Sequence, residues 1–167
     1  MNESPWRVSD RYDPALVALA DRHYSRQTPG SPQCISPGTY VALISADKTA
    51  GWVTTWPRFA QHAWRGAWVN TLFRKEGDGL ASDMIRHAVA HTRAAWPAVP
   101  ALGMITFVDG SKIRRKRDPG RCYRKAGFRH VGFTKGGLYA FQMLEAEMPA
   151  PAEVPGSQQS LFSLEAS

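Results

Sequence analysis

Cysteine is nearly absent. Cys34 and Cys122 are the only two, in unrelated contexts with no Cys-x-x-Cys or Cys/His spacing. That argues against a disulfide framework and a zinc site, and reads as two reduced thiols with no metal expected. No run approaches the ~20 apolar residues that a membrane helix needs. The opening MNESPWRVSD also lacks the basic-then-apolar pattern of a signal peptide. A cytoplasmic location with no membrane partner is expected, and no internal repeat is found. Acidic residues are scarce over most of the chain: residues 1–144 hold all 21 Lys and Arg but only ten of the 14 Asp and Glu, a net charge of +11. A domain that basic suits a polyanion such as nucleic acid.

What is present suffices for one core, since 167 residues with 43% apolar content fold as one domain of ordinary size. After Glu145 the composition turns to Pro, Ala, Ser, Gln and Glu. A domain over 1–145 and a disordered tail over 146–167 are therefore expected. Asp13-Pro14 reads as an N-cap with proline in the first turn, opening a helix over about 14–24 that ends in His23 and Tyr24. SRQTPGSPQCISPG is an irregular loop, TYVALISA-DKT-AGWVTTW a β-hairpin, and GAWVNTLFR a third strand. In GLASDMIRHAVAHTRAAW, Leu80, Met84, Ile85, Ala88, Val89 and Thr92 share one helical face, and Pro97 stops the helix. ALGMITFVD follows as a buried strand, CYRKAGF as a short helix, and RHVGFTKGGLYAFQML as a closing hairpin. The class is α/β (α+β), a mixed central sheet with flanking helices.

Three segments carry chemistry. Strand, loop, helix and strand around 67–108 make a βαβ unit whose loop reads Arg74-Lys-Glu-Gly77-Asp-Gly79. The spacing R-x-x-G-x-G at a helix start lets backbone N–H groups approach an anion, although two glycines there can also simply make a tight turn. Glu76 and Asp78, beside Lys75, oppose a bound pyrophosphate. Next, Lys112, Arg114, Arg115, Lys116, Arg117, Arg121, Arg124 and Lys125 crowd the stretch after a buried strand. They read either as a solvated loop or, at that sheet edge, as a track for a phosphate backbone. Asp109, at the strand end itself, suits a general base or a cap of the loop. Trp56 and Trp64, with His62 nearby, are candidates for stacking on an unpaired base, though tryptophans in such hairpins more often pack in the core.

The order hairpin, strand, R-x-x-G-x-G, helix, strand and CYRKAGF resembles the GNAT (Gcn5-related N-acetyltransferase) superfamily over roughly residues 10–144. In that superfamily the glycine loop, here Arg74, Gly77 and Gly79, holds the pyrophosphate of coenzyme A. HYSR, FRKEG, FVD and RKRDPGRCYRKAGF are similar to a phage-associated branch, the Mom family, which converts adenine in phage DNA to an N6-carbamoylmethyl form. That resemblance implies His23, Tyr24, Arg74, Asp109 and Tyr123 as active-site residues. It implies a DNA-modifying transferase acting on an exocyclic base amine, with Asp109 or His23 taking the proton, Tyr24 or Tyr123 donating one or orienting the base, and the basic loop holding phosphate. A coenzyme A-dependent N-acetyltransferase of a small amine or protein is the second reading, and a non-catalytic DNA-binding accessory the third. The group donor is unknown, and acetyl coenzyme A is disfavoured by the acidic glycine loop. In the tail, Gln158-x-Ser160-Leu161-Phe162 resembles the pentapeptide by which bacterial DNA polymerases and repair proteins hold the sliding clamp. Leu161 and Phe162 would fill an apolar cleft while Gln158 bonds at its rim.

Overall fold

The computed structural model describes residues 3–22, 34, 35, 37–57, 62–112 and 118–156. Seven strands form one sheet: β1 (Trp6–Val8), β2 (Tyr40–Ser45), β3 (Ala50–Thr55), β4 (Trp68–Lys75), β5 (Met104–Val108), β6 (Arg129–Phe133) and β7 (Tyr139–Met143). Their order across the sheet is β1-β2-β3-β4-β5-β7-β6. Every neighbouring pair is antiparallel except β4 and β5. That parallel pair needs a crossover, which α2 (Ala81–Ala95) supplies between the two strands.

The helices cover both faces. Asp13 caps α1 (Pro14–Asp21) by accepting from the Ala15 N–H at 3.0 Å, and Pro14 occupies the first turn as the sequence predicts. Leu16, Leu19 and Ala20 of α1 are buried with Ala42, Ile44, Val53 and Leu72. Gly51 permits that approach, because a Cβ there would lie 2.6 Å from Leu16 Cδ1. On the opposite face α2 buries Met84, Ile85, Ala88 and Val89 against Trp6, Trp52, Trp68 and Met104, and α3 (Arg121–Ala126) adds Tyr123 and Ala126. Leu80 does not share this core. It is the N-cap of α2 and is 60% exposed, because the helical face begins one turn later, at Met84.

Two further differences from the sequence reading matter. Strand β1 was not expected; it adds to β2, and Trp6 drives it into the core, fully buried with its indole N–H donating to the Met84 carbonyl at 2.8 Å. Residues 146–156, read from composition as the start of a tail, pack on the domain. Met148 and Val154 are buried, Ala152 N–H donates to the Ala90 carbonyl at 3.1 Å, and Arg93 Nη1 donates to the Pro149 carbonyl at 2.8 Å. His91, itself buried on α2, pins both chain ends there: one ring nitrogen lies 2.7 Å from Ser4 Oγ and the other 2.6 Å from the Ala152 carbonyl. The rest of the expected tail, with Gln158, Leu161 and Phe162, lies outside the described residues. Among the described residues no helix is long and apolar enough to cross a membrane, and no three His, Cys, Asp or Glu gather as a metal site.

Candidate functional site

The centre of the sheet is interrupted where β4 meets β5. Their ladder holds only Trp68, Val69 and Asn70 against Met104, Ile105 and Thr106, then ends, although β4 continues to Lys75 and β5 to Val108. On its other edge β4 carries a bulge: Val53 pairs with Leu72 but Thr54 with Asn70, so Thr71 is the extra residue. Bulges re-aim side chains and commonly lie beside sites.

Asn70 ties this interruption together. Its amide nitrogen donates at 2.9 Å to the carbonyls of both Val53 and Leu72. Its Oδ1 accepts from Tyr123 Oη at 2.7 Å and from Thr106 Oγ1 at 3.1 Å. A buried amide with all these bonds made is rigid and orients its partners. Four elements, β3, β4, β5 and α3, are thereby joined around one side chain. Tyr123 is held besides by edge contacts to Phe73 and Phe128. Asn70 and Thr106 were not singled out from sequence. The available signal was an Asn inside WVNTLFR, a polar residue of poor strand propensity between apolar neighbours.

Asp109 follows β5 directly, at the carboxyl end expected for it. Its Oδ1 accepts from the Ser111 N–H at 3.0 Å and the Ser111 hydroxyl at 2.6 Å, opening the single turn Gly110–Lys112. The carboxylate thus performs the loop-capping role anticipated as one of its two readings.

The glycine loop has a different interior from the one its sequence suggests. The Glu76 carboxylate takes a forked pair of bonds from Arg22 at 2.7 and 2.8 Å and a third from Arg74 Nε at 2.9 Å. Bonding to Arg22 first, and to Arg74, holds its pKa well below the usual carboxylate range, at about 2. Arg74 Nη1 also donates to the Arg22 carbonyl at 2.7 Å, which fixes the end of α1 to β4. Glu76 is therefore a neutralised partner of two guanidinium groups and not a bare charge opposing an anion. Packing requires a glycine at Gly77, since a Cβ there would collide with Thr49 Oγ1 in the β2–β3 turn. Gly79 has a φ of +105°, and Leu80 gives α2 no side-chain cap.

Of the basic cluster, Arg121, Arg124 and Lys125 stand exposed on α3. Arg124 pairs with Asp118 and lies 5.4 Å above the Phe141 ring. Lys112 closes the turn after Asp109. Arg114, Arg115, Lys116 and Arg117, like His23 and Tyr24, lie outside the described residues. Trp56 belongs to the core packing: its ring meets Trp68 at 5.9 Å and Trp96 at 5.5 Å. Trp64 packs with His62 and Phe107 on the face opposite α3.

No family model and no curated protein matches the chain. Solved structures do. The aminoglycoside 6'-N-acetyltransferase from Enterococcus faecium superposes with a TM-score of 0.57 at 12% identity, over 88% of this chain and 99% of that one. An aminoglycoside 6'-acetyltransferase type Ii does so with a TM-score of 0.53 at 15% identity, over 87% and 99%. The fold is GNAT-like, as the order of motifs implied.

Proposed function

We propose that this GNAT-like domain is a transferase that modifies an exocyclic amine of a DNA base, N6 of adenine being the position that the resemblance to the Mom family implies. The observation that carries the reading is the Tyr123 phenol, fixed by Asn70 where the β4–β5 ladder ends. This group stands on the helix whose exposed side bears Arg121, Arg124 and Lys125. A base amine inside a duplex is out of reach, so the substrate base is extruded or unpaired. The amine nitrogen then attacks the carbon of an activated acyl or alkyl donor. A new N–C bond forms, the donor's leaving group departs with its bonding electrons, and the amine proton passes to Asp109 or His23. Tyr123, or Tyr24, orients the base. Arg74, already clamped by Glu76, contributes a fixed positive charge.

The closed Arg22–Glu76–Arg74 cluster also bears on the donor. A pyrophosphate using this loop would compete with a carboxylate already seated on both guanidinium groups. Coenzyme A is therefore not assigned as the donor. The second reading, a coenzyme A-dependent N-acetyltransferase, is favoured by the uncapped start of α2, whose first N–H groups suit an anion, and by the activity named for both structural neighbours. Aminoglycosides are polycations, however, and a domain of net charge +11 over residues 1–144 repels them.

Mass spectrometry of nucleosides from cells expressing the protein or its Asp109→Ala variant tests the proposal. A modified deoxyadenosine in the DNA of those cells, present with the wild type and absent with the variant, is expected. Unmodified nucleosides, together with micromolar binding of acetyl coenzyme A by calorimetry, would transfer the assignment to the second reading.

A further inference from the structure

The outer hairpin of the sheet leaves aromatic rings on the surface. His130 and Phe133 of β6 pair with Phe141 and Tyr139 of β7 and so share their face of the sheet, the α3 side. The Phe133 ring lies 4.9 Å from His130 and 4.8 Å from Tyr139, and His130 lies 5.3 Å from Tyr139. Phe133 is nevertheless 57% exposed. A large ring held by two others yet open to water is a ledge, not a core residue.

The ledge adjoins both the site and the positive charge. Tyr139 is nearly parallel to Phe141 (10°, 6.5 Å), and Phe141 to Tyr123 (17°, 6.5 Å), so a row of rings runs from the oriented phenol outward. Gly110 rests on Tyr139, where a Cβ would lie 2.8 Å from Cε1, and Gly120 rests on Phe141. Arg124 of α3 lies 5.4 Å above the Phe141 ring, so a described cation stands on the same row of rings. Lys135 in the β6–β7 turn adds charge from the other side.

We infer that the His130–Phe133–Tyr139 ledge is a stacking platform for an unpaired base of a nucleic-acid strand, separated from Tyr123 by the buried Phe141 ring. This rests on the DNA reading above. Exposed rings beside a surplus of cations match a strand that offers flat bases on an anionic backbone. Paired bases inside a duplex present no free face, so the strand is open there, as extrusion of a base requires.

The test is fluorescence anisotropy on the full chain, with a thymidine oligomer and an abasic strand of equal length over a range of salt. The wild type should prefer the strand that has bases. Phe133→Ala should weaken binding of that strand about five- to 150-fold, the range of one lost base stack, while affinity for the abasic strand and the salt slope stay unchanged. Phe133→Trp should restore the preference. Equal binding of both strands by the wild type, or an undiminished preference in Phe133→Ala, overturns the ledge and leaves DNA binding standing. No binding of either strand overturns the ledge and the DNA reading together.

Discussion

Replacing Asn70 with Ala should be the most damaging polar deletion in the described fold. The variant removes both amide N–H bonds to the Val53 and Leu72 carbonyls and the acceptor of Tyr123 Oη, while Thr106 keeps the backbone carbonyl of residue 70 at 3.2 Å. Three buried groups thus lose a partner. At roughly 1 kcal/mol each the loss is about 3 kcal/mol, a large share of the ~5–15 kcal/mol that holds a domain of this size. With a urea slope of about 2 kcal/mol per molar, the unfolding midpoint should fall by about 1.5 M at unchanged slope. Tyr123→Phe removes only the hydroxyl and should cost about 1 kcal/mol. The two changes share one bond, so the double variant should be less destabilised than the sum of the singles, with a coupling of about 1 kcal/mol. A midpoint for Asn70→Ala equal to wild type, or strict additivity in the cycle, would refute the account of Asn70 as the tie of the site.

Burial lowers the basicity of His91, with His87 adding to the effect against the bond to Ala152. The unfolded chain therefore takes up a proton that the folded chain refuses, and stability should fall as pH drops below about 6.5; unfolding midpoints measured across that range should show a smaller drop in His91→Gln than in wild type, the remainder coming from His62 and His87, which burial also lowers. Gly120 has a φ of +72° and abuts the Phe141 ring, so Gly120→Ala should destabilise by more than about 1 kcal/mol in urea unfolding; a neutral result would mean that the α3 entry is less fixed than described. A peptide of residues 156–167 should bind a bacterial sliding clamp, and Leu161→Ala with Phe162→Ala should abolish it, each side chain supplying ~1.5–3 kcal/mol before ordering costs; no binding at high micromolar peptide would reduce QQSLF to a polar segment.

Periodic elements were legible in the sequence, whereas features made by long-range contact were not. Helix α2 announces itself through Met84, Ile85, Ala88, Val89 and Thr92, and the hairpins through β-branched runs between turn residues. Strand β1 is three residues long, too short to show alternation, and exists because Trp6 finds a slot under α2. Residues 146–156 carry two apolar anchors, Met148 and Val154, in a stretch whose composition is that of a tail. Two anchors make no period. Glu76 was visible as a carboxylate in the glycine loop, but its neutralisation depends on Arg22, which is distant in sequence and adjacent only after α1 docks. Asn70 shows the same limit: an Asn in a strand signals that something is unusual, and only the bulge and α3 say what. Asp109 was placed correctly at its strand end, and both readings offered for it concern that location.

The pinning of Ala152 and Val154 on α2 fixes where the remaining chain starts. Beyond Gly156 only five residues lead to Leu161, and a fully extended chain gains at most ~3.6 Å per residue, so a protein gripping Leu161 sits within about 18 Å of Gly156. The leash is short. A ring held that way would travel almost in contact with this domain, leaving it little freedom to choose which stretch of DNA it meets. If the tail does hold such a ring, the domain would be presented to strands just emerging from it rather than to distant sites, and lengthening the chain between Gly156 and Gln158 would widen that window without altering the folded domain.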